Sequence, residues 1–209
     1  TGIVWVYRIA ADGTQLDFYS VTAQAIAFDD AAAFAVAVDA AGVHVKRLVA
    51  GAVAWERVFA GSASISAVTA TPAHGVVLGG VLSTPIDFGG GALPTRTGEN
   101  GPYNAFVVAL DAAGAHAFSR RTESWSLDGV AATATRVLVS TTERTQFFYP
   151  HLYAYSPTGA ALPATFDLAT SGWGQAGRIA VSPAGRVWWG ATVGWQPRSL
   201  WPYLFALDL

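Results

Sequence analysis

Residues 68–120 read VTATPAHGVVLGGVLSTPIDFGGGALPTRTGENGPYNAFVVALDAAGAHAFSR, and the parts of this stretch recur elsewhere in the chain, in the same order, three times in whole or in part. Two β-type runs flank the tight connection Pro72-Ala-His-Gly75, a Gly- and Pro-rich loop follows, and two further runs flank Asp111-Ala-Ala-Gly114. Period-2 runs joined by short Gly turns mark half-buried antiparallel strands. The unit is therefore a four-stranded one, A-B-C-D. Its A-B half, Ala70-Thr-Pro-Ala-His-Gly-Val-Val-Leu-Gly79, aligns without a gap on Val181-Ser-Pro-Ala-Gly-Arg-Val-Trp-Trp-Gly190. Residues 28–37 fit the same frame, and 131–140 fit it with a shorter turn. The C-D half returns at 4–19 around Asp12-Gly13, at 43–59 around Ala50-Gly51 and at 151–166 around Pro157-Thr-Gly159, and begins again at Tyr203.

Equivalent residues Ile9, Leu48, Leu110, Tyr155 and Leu207 lie 39, 62, 45 and 52 positions apart, one blade each with insertions. Self-similarity on this scale predicts a repeat architecture. The chain is expected to be all-β, a β-propeller of four-stranded antiparallel blades. Its parts are a C-D hairpin at 3–20, blades at about 23–60, 64–121 and 128–168, and an A-B-C remainder at about 177–209. Residues 1–209 then form a single propeller domain with four to five blades visible, or a piece of a larger propeller. Seventeen strands do not divide by four, so a compact closed ring and an irregular closing sheet both stay open. Small residues fill the inferred A strands at 24–27, 66–70, 129–133 and 178–181, whereas the inferred D strands carry Phe18, Trp55, Phe118 and Phe166. Sheets converging on an axis are crowded inside and splayed outside, which calls for this gradient of volume.

Ile86-Asp-Phe-Gly-Gly-Gly-Ala-Leu-Pro94 and Ala105-Phe-Val-Val-Ala-Leu-Asp-Ala-Ala-Gly-Ala-His-Ala-Phe-Ser-Arg120 resemble the β-propeller repeat of large secreted and surface proteins of myxobacteria and their relatives. That family usually has Trp in its final strand; Trp55 keeps it and Phe118 departs from it. The resemblance is close over 68–120 and looser elsewhere. It implies a bladed fold in an extracytoplasmic setting, secreted, periplasmic or on the outer cell surface, and it carries no catalytic residues.

Composition narrows the function classes. Of 209 residues 52% are apolar and only 12% charged, about half the charged share of an ordinary domain. The net charge is −2, and the basic residues are scattered, so the footprint of a nucleic-acid binder is missing. The longest apolar run, 31–38, is far short of the roughly 18 residues of a membrane span. The absence of Cys excludes disulfides, thiolate metal sites and cysteine nucleophiles. An Arg-rich, Ala-rich chain with one Lys, Lys46, points to a high-GC bacterial genome, and a chain opening on Thr1-Gly2 is expected to have been processed or cut from something longer.

Candidate chemistry is sparse. Gly172-Trp-Gly174-Gln-Ala-Gly177 matches G-x-G-x-x-G, but a phosphate site needs a helix behind it, and a strand pattern follows. Gly89-Gly90-Gly91 is either an anion cradle or a bend within the long B–C loop at 83–103. His44, His74, His116 and His151 fall at four different places in the blade scheme, and no metal or cofactor is expected. Glu123 and Asp128 straddle Trp125 in an inferred interblade loop, a pair a glycosidase needs at fixed separation.

The expected function is a non-catalytic binding or assembly module, with a protein partner or a surface polysaccharide. A lectin-like propeller would stack sugars on Trp173, Trp195, Trp201 and Tyr203, and the loop residues Asp87, Arg96, Glu99, Asn100 and Tyr103 would add contacts. Trp188 and Trp189 are adjacent in a strand and face opposite ways. The alternative is a propeller enzyme, a glycosidase or lyase or a quinoprotein-like dehydrogenase, since fold does not settle function.

Overall fold

A computed structural model describes residues 2–9, 12–98, 101–102, 104–144, 148–163, 166–167, 173–182, 185–194 and 201–207. They are all-β and antiparallel, with no helix among them. Sheet 1 is a hairpin of β1 (Gly2–Ile9) and β2 (Gln15–Ala23). Sheet 2 runs in order through β3 (Ala25–Phe28), β4 (Ala33–Asp39), β5 (Gly42–Val49) and β6 (Ala52–Phe59). Next come β7 (Ala63–Ala70), β8 (Val76–Leu82), the short ladders β9 (Ile86–Asp87) with β10 (Ala92–Leu93) and β11 (Thr97–Gly98) with β12 (Gly101–Pro102), then β13 (Ala105–Leu110) and β14 (His116–Arg121). Sheet 3 is β7-β8-β13-β14. Sheet 4 is β15 (Ser126–Ala132), β16 (Val137–Arg144), β17 (Phe148–Tyr155) and β18 (Phe166–Asp167). Sheet 5 is β19 (Trp173–Val181), β20 (Val187–Gly194) and β21 (Trp201–Leu207).

Alternation along each strand sends successive side chains to opposite faces, and this builds one apolar layer per joint. Ala33, Ala35 and Leu48 pack back onto Val6, Val21 and Ala23 of sheet 1, while Phe34, Val36, Val43 and Val45 pack forward onto Val76, Leu78, Phe106 and Val108 of sheet 3. Val77, Val107 and Ala109 in turn meet Val137 and Val139 of sheet 4, whose other face, with Leu138 and Leu152, meets Val187 and Trp189 of sheet 5. The inner strands of these sheets, β4, β8 and β13 among them, are thus buried on both faces, which is why they read as nearly continuous apolar runs. The first strands β3, β7, β15 and β19 lie against one another in series. Among the described residues the series does not close into a barrel or ring.

The turns repeat too. Thr71, Asp111, Ser156 and Ser182 each open a five-residue turn and accept, through a side-chain oxygen, the N–H of the residue four on, at 3.0, 2.8, 3.0 and 3.1 Å. The fourth position is left-handed in each, at φ 59 to 83°: Gly114, Gly159 and Gly185 in three of them and His74 in the other. In sheets 2, 3 and 4 the C–D turn glycine seats an aromatic ring from the last strand of the preceding sheet. A Cβ on Gly51 would lie 3.0 Å from Tyr19, on Gly114 3.0 Å from Trp55 and on Gly159 2.5 Å from Phe118. Trp55 Nε1 also donates to Ala112 O at 2.9 Å, and Arg120 Nε to Gly159 O at 3.2 Å.

This corrects one expectation. Trp55 and Phe118 stand four residues after their turn glycines, whereas Phe18 stands five after Gly13 and therefore points to the other face. Tyr19 takes the seat, and Phe18 is 49% exposed. The side chain of Phe166 lies outside the described residues.

Candidate binding faces and loops

The outer face of the β1–β2 hairpin is the most distinctive surface. Antiparallel register places Ile3 opposite Thr22, Trp5 opposite Ser20, Tyr7 opposite Phe18 and Ile9 opposite Gln15. All eight are uncharged. Ile3, Trp5, Tyr7 and Ile9 are each 58–68% exposed. Trp5 stacks on Phe18 with centroids 5.2 Å apart and planes 6° apart, and Tyr7 meets the same ring at 4.8 Å. Beside the face, a cleft of about 300 Å³ between hairpin and sheet 2 is lined by Tyr7, Tyr19, Phe28, Asp29 and Leu48. The composition of 3–9 displays this face as plain alternation; sequence reasoning passed it over because the aromatic density near the C-terminus drew the binding assignment there.

There, Trp189 is wholly buried and donates Nε1 to Ser140 Oγ at 2.8 Å, whereas Trp188 turns outward, 37% exposed. Trp201 opens β21 opposite Val193, because the run 201–207 pairs along its length with β20. Trp201 and Tyr203 share one face and are 66% and 50% exposed; Tyr203 stacks with Phe205 at 6.1 Å. A shallow groove of about 280 Å³ beside Tyr203 is lined by Gln175, Thr192 and Pro202. Trp195 lies outside the described residues, and of Trp173 only the backbone, at the start of β19, is described.

Loop 83–103 is less irregular than expected. Ile86 and Phe88 are each 1% exposed, and Phe88 packs between Phe59 and Phe106 at 5.0 and 5.3 Å. Asp87, between them, points out, and its Oδ1 accepts the N–H groups of Gly89 and Gly91 at 2.7 and 3.0 Å. The triple glycine therefore gives those donors to Asp87 rather than to an external anion. Arg96 Nη1 lies 3.4 Å from Glu123 Oε1 and its backbone N–H donates to Asn104 Oδ1 at 2.6 Å. Glu99, Asn100 and Tyr103 lie outside the described residues.

The carboxylates Glu123 and Asp128 take different partners. Glu123, 64% exposed, pairs with Arg121 at 2.7 Å as well as with Arg96. Asp128 is in β15, not in a loop, and accepts from Thr142 Oγ1 at 2.8 Å and Ser126 Oγ at 3.1 Å; Thr142 Oγ1 in turn accepts the Ala176 N–H of sheet 5 at 3.0 Å. Burial pushes the Asp128 carboxyl above the ordinary range despite these bonds. Asp128 thus serves the joint between sheets 4 and 5. Gly174 and Gly177 lie within β19, where a Cβ would meet Thr192 O and Gly190 O, each at 2.8 Å; strand packing accounts for both, and no helix follows.

The histidines do not converge on one another; His151 lies 2.9 Å from Glu143, and His44 and His74 each gather two carboxylates. His44 has Glu56 Oε1 at 3.0 Å from Nδ1 and Asp39 Oδ1 at 3.0 Å from Nε2. Both ring nitrogens act as donors only in the imidazolium, so Glu56 first, and then Asp39, raises the His44 pKa above its ordinary value. His74 Nδ1 is 3.1 Å from Asp29 and 3.5 Å from Asp30, which links the A–B turns of sheets 2 and 3. Sequence reasoning missed this group. Its signal was present, since Phe28-Asp-Asp and Ala-His-Gly occupy the same turn of successive repeats. Burial opposes ionisation of Asp29, yet the N–H groups of Ala31 and Ala32 and the His74 ring hold its pKa below the usual value.

No protein-family model matches the chain, and no curated protein matches it.

Proposed function

We propose that the chain is a binding and assembly module without chemistry of its own, a propeller-type series of sheets working outside the cytoplasm through the outer face of its N-terminal hairpin. The series of first strands and the ring-on-glycine joints outside it support the propeller reading, because both follow from sheets splaying about an axis. The extracytoplasmic setting rests on the resemblance of 68–120 to secreted and surface propeller repeats. The observation that carries the binding reading is the uncharged aromatic face of Ile3, Trp5, Tyr7, Ile9 and Phe18. Contiguous apolar patches of this kind mark interaction sites, and Trp and Tyr are the side chains that anchor them. In sheet 3 the equivalent side chains, Phe106, Val108 and Leu110, are buried; the hairpin leaves its own exposed.

An apolar fluorescent probe, anilinonaphthalene sulfonate, tests this on dilute protein. Saturable binding that falls in Trp5→Ser/Tyr7→Ser supports the face as a binding surface. Binding unchanged by the double substitution, or absent from the unaltered protein, removes the reading.

A second reading is favoured by Trp201 and Tyr203, which present exposed rings on one face of β21 beside a groove with Gln175 and Thr192. Rings next to hydrogen-bonding groups suit a sugar. Titration with bacterial polysaccharides, followed by tryptophan fluorescence, should show saturable quenching that disappears in Trp201→Ala. A flat response across the panel counts against a lectin.

A further inference from the structure

We infer that Asp29, Asp30 and His74 form a site for one divalent ion of the zinc class, a clamp between the A–B turns of sheets 2 and 3. Both sheets are four-stranded and lie inside the series rather than at an end of it. Each residue offers one ligand atom, and the three atoms lie within 4.8 Å of one another. His74 Nδ1 is 3.1 Å from Asp29 Oδ2 and 3.5 Å from Asp30 Oδ1. Zinc binds nitrogen and carboxylate oxygen at about 2.0–2.2 Å, so neighbouring ligands stand about 3.3–3.6 Å apart in a tetrahedral shell and about 2.8–3.1 Å apart in an octahedral one. The two separations already match such edges. Only the carboxylates have to draw together, and the Asp30 side chain, 86% exposed, can turn inward without unpacking anything.

The local fold asks for neither His74 nor Asp30. His74 takes, at φ 59°, the turn position that Gly114, Gly159 and Gly185 hold in the sister turns. In the other turn Asp29 alone accepts the backbone donors, Oδ1 taking the N–H groups of Ala31 and Ala32 at 2.8 and 2.6 Å. Those bonds fix the Asp29 carboxylate and leave Oδ2 facing the imidazole, the backing that ligating carboxylates usually have. Among the described residues neither Asp29 nor Asp30 pairs with Arg or Lys, so two carboxylates outnumber one imidazole even where the ring is charged. One divalent ion with a neutral imidazole balances both. The donors set the class of ion: a nitrogen with two oxygens suits Zn2+, whereas Ca2+ and Mg2+ are bound through oxygen. The sequence pointed to no metal because its four His lie apart; this group needs one His and draws its carboxylates from the preceding repeat.

Isothermal titration of the full chain with zinc chloride, in a buffer that does not chelate, tests this alongside His74→Gly, Asp30→Asn and His44→Gln. His74→Gly gives the turn the residue of its three sisters, and Asp30→Asn alters an exposed side chain, so both variants are expected to fold; urea unfolding without metal checks this. Expected is saturation at one ion per chain. Either substitution at the turns should weaken binding at least about tenfold, the least that loss of even an outer-shell partner costs. His44→Gln should leave it unchanged, since that ring belongs to a separate group with Glu56 and Asp39. Zinc should also raise the urea midpoint of the unaltered chain and not that of His74→Gly, because the ion joins two sheets of the folded state. Excess Ca2+ should not displace it. Binding that is unchanged in both turn variants, or lost only in His44→Gln, means an adventitious ion only and overturns the inference, as does the absence of saturable binding.

Discussion

A glycine seat and the ring above it are the smallest working part of this molecule. Gly159→Ala would bring a Cβ to 2.5 Å from Phe118 at φ 82°, whereas Gly13→Ala, at φ 86°, meets nothing within 4 Å. The left-handed conformation costs alanine about 1–2 kcal/mol at either place, and overpacking adds about 1–3 kcal/mol only at Gly159. Urea unfolding should therefore separate the two variants, with Gly159→Ala losing about 2–5 kcal/mol and Gly13→Ala about 1–2 kcal/mol; equal losses would mean that the ring contributes nothing to the joint. A second residue-scale outcome concerns pH. The folded pKa of His44 is raised, so its contribution is fully present below the ordinary imidazole value of about 6.5 and is lost as pH rises through the raised value. Glu56 and Asp39 are lowered, and their contribution is lost as pH falls through their depressed values. The stability difference between the protein and His44→Gln should accordingly peak in the weakly acidic range and shrink on both sides; a difference that grows from pH 6 to 9 contradicts the pairing.

Strands and turns were largely legible in the sequence, because period-2 runs and short Gly turns are local signals. The recurring 39- to 62-residue spacing was enough to place the hairpins. What was not legible depends on side-chain direction over longer range. Phe18 and Tyr19 are neighbours, and only the parity of the count from Gly13 decides which ring is seated. Loop 83–103 read as irregular because its apolar residues are few and set among Gly and Pro, and the two that are wholly buried, Ile86 and Phe88, spend their area in the joint between sheets 2 and 3. The Trp188-Trp189 pair divided as alternation requires. Burying the Trp189 indole also commits its N–H to Ser140, whose residue is fully buried. Either Trp189→Phe or Ser140→Ala leaves a buried polar group alone, at about 1–3 kcal/mol. Their double-mutant cycle should show a coupling of about 0.5–3 kcal/mol, and strict additivity would argue against the bond. Glu123→Gln, by contrast, alters exposed pairs with Arg96 and Arg121 and should shift stability by no more than about 0.5 kcal/mol either way.

Among the described residues, five sheets stack through four apolar layers, and the hairpin has sheet 2 on one face only. A two-stranded hairpin is marginal without further support, so β1 and β2 depend on sheet 2 behind them and on whatever seats itself in front. Backbone amide hydrogen exchange reads this dependence strand by strand. In dilute protein the amides of β1 should exchange far faster than those of β4 and β8, which lie inside sheets covered on both faces, and slow markedly once a bound ligand occupies the hairpin face. Exchange of β1 as slow as that of β4 in dilute protein would show the face already covered, and would contradict an open hairpin as the working surface.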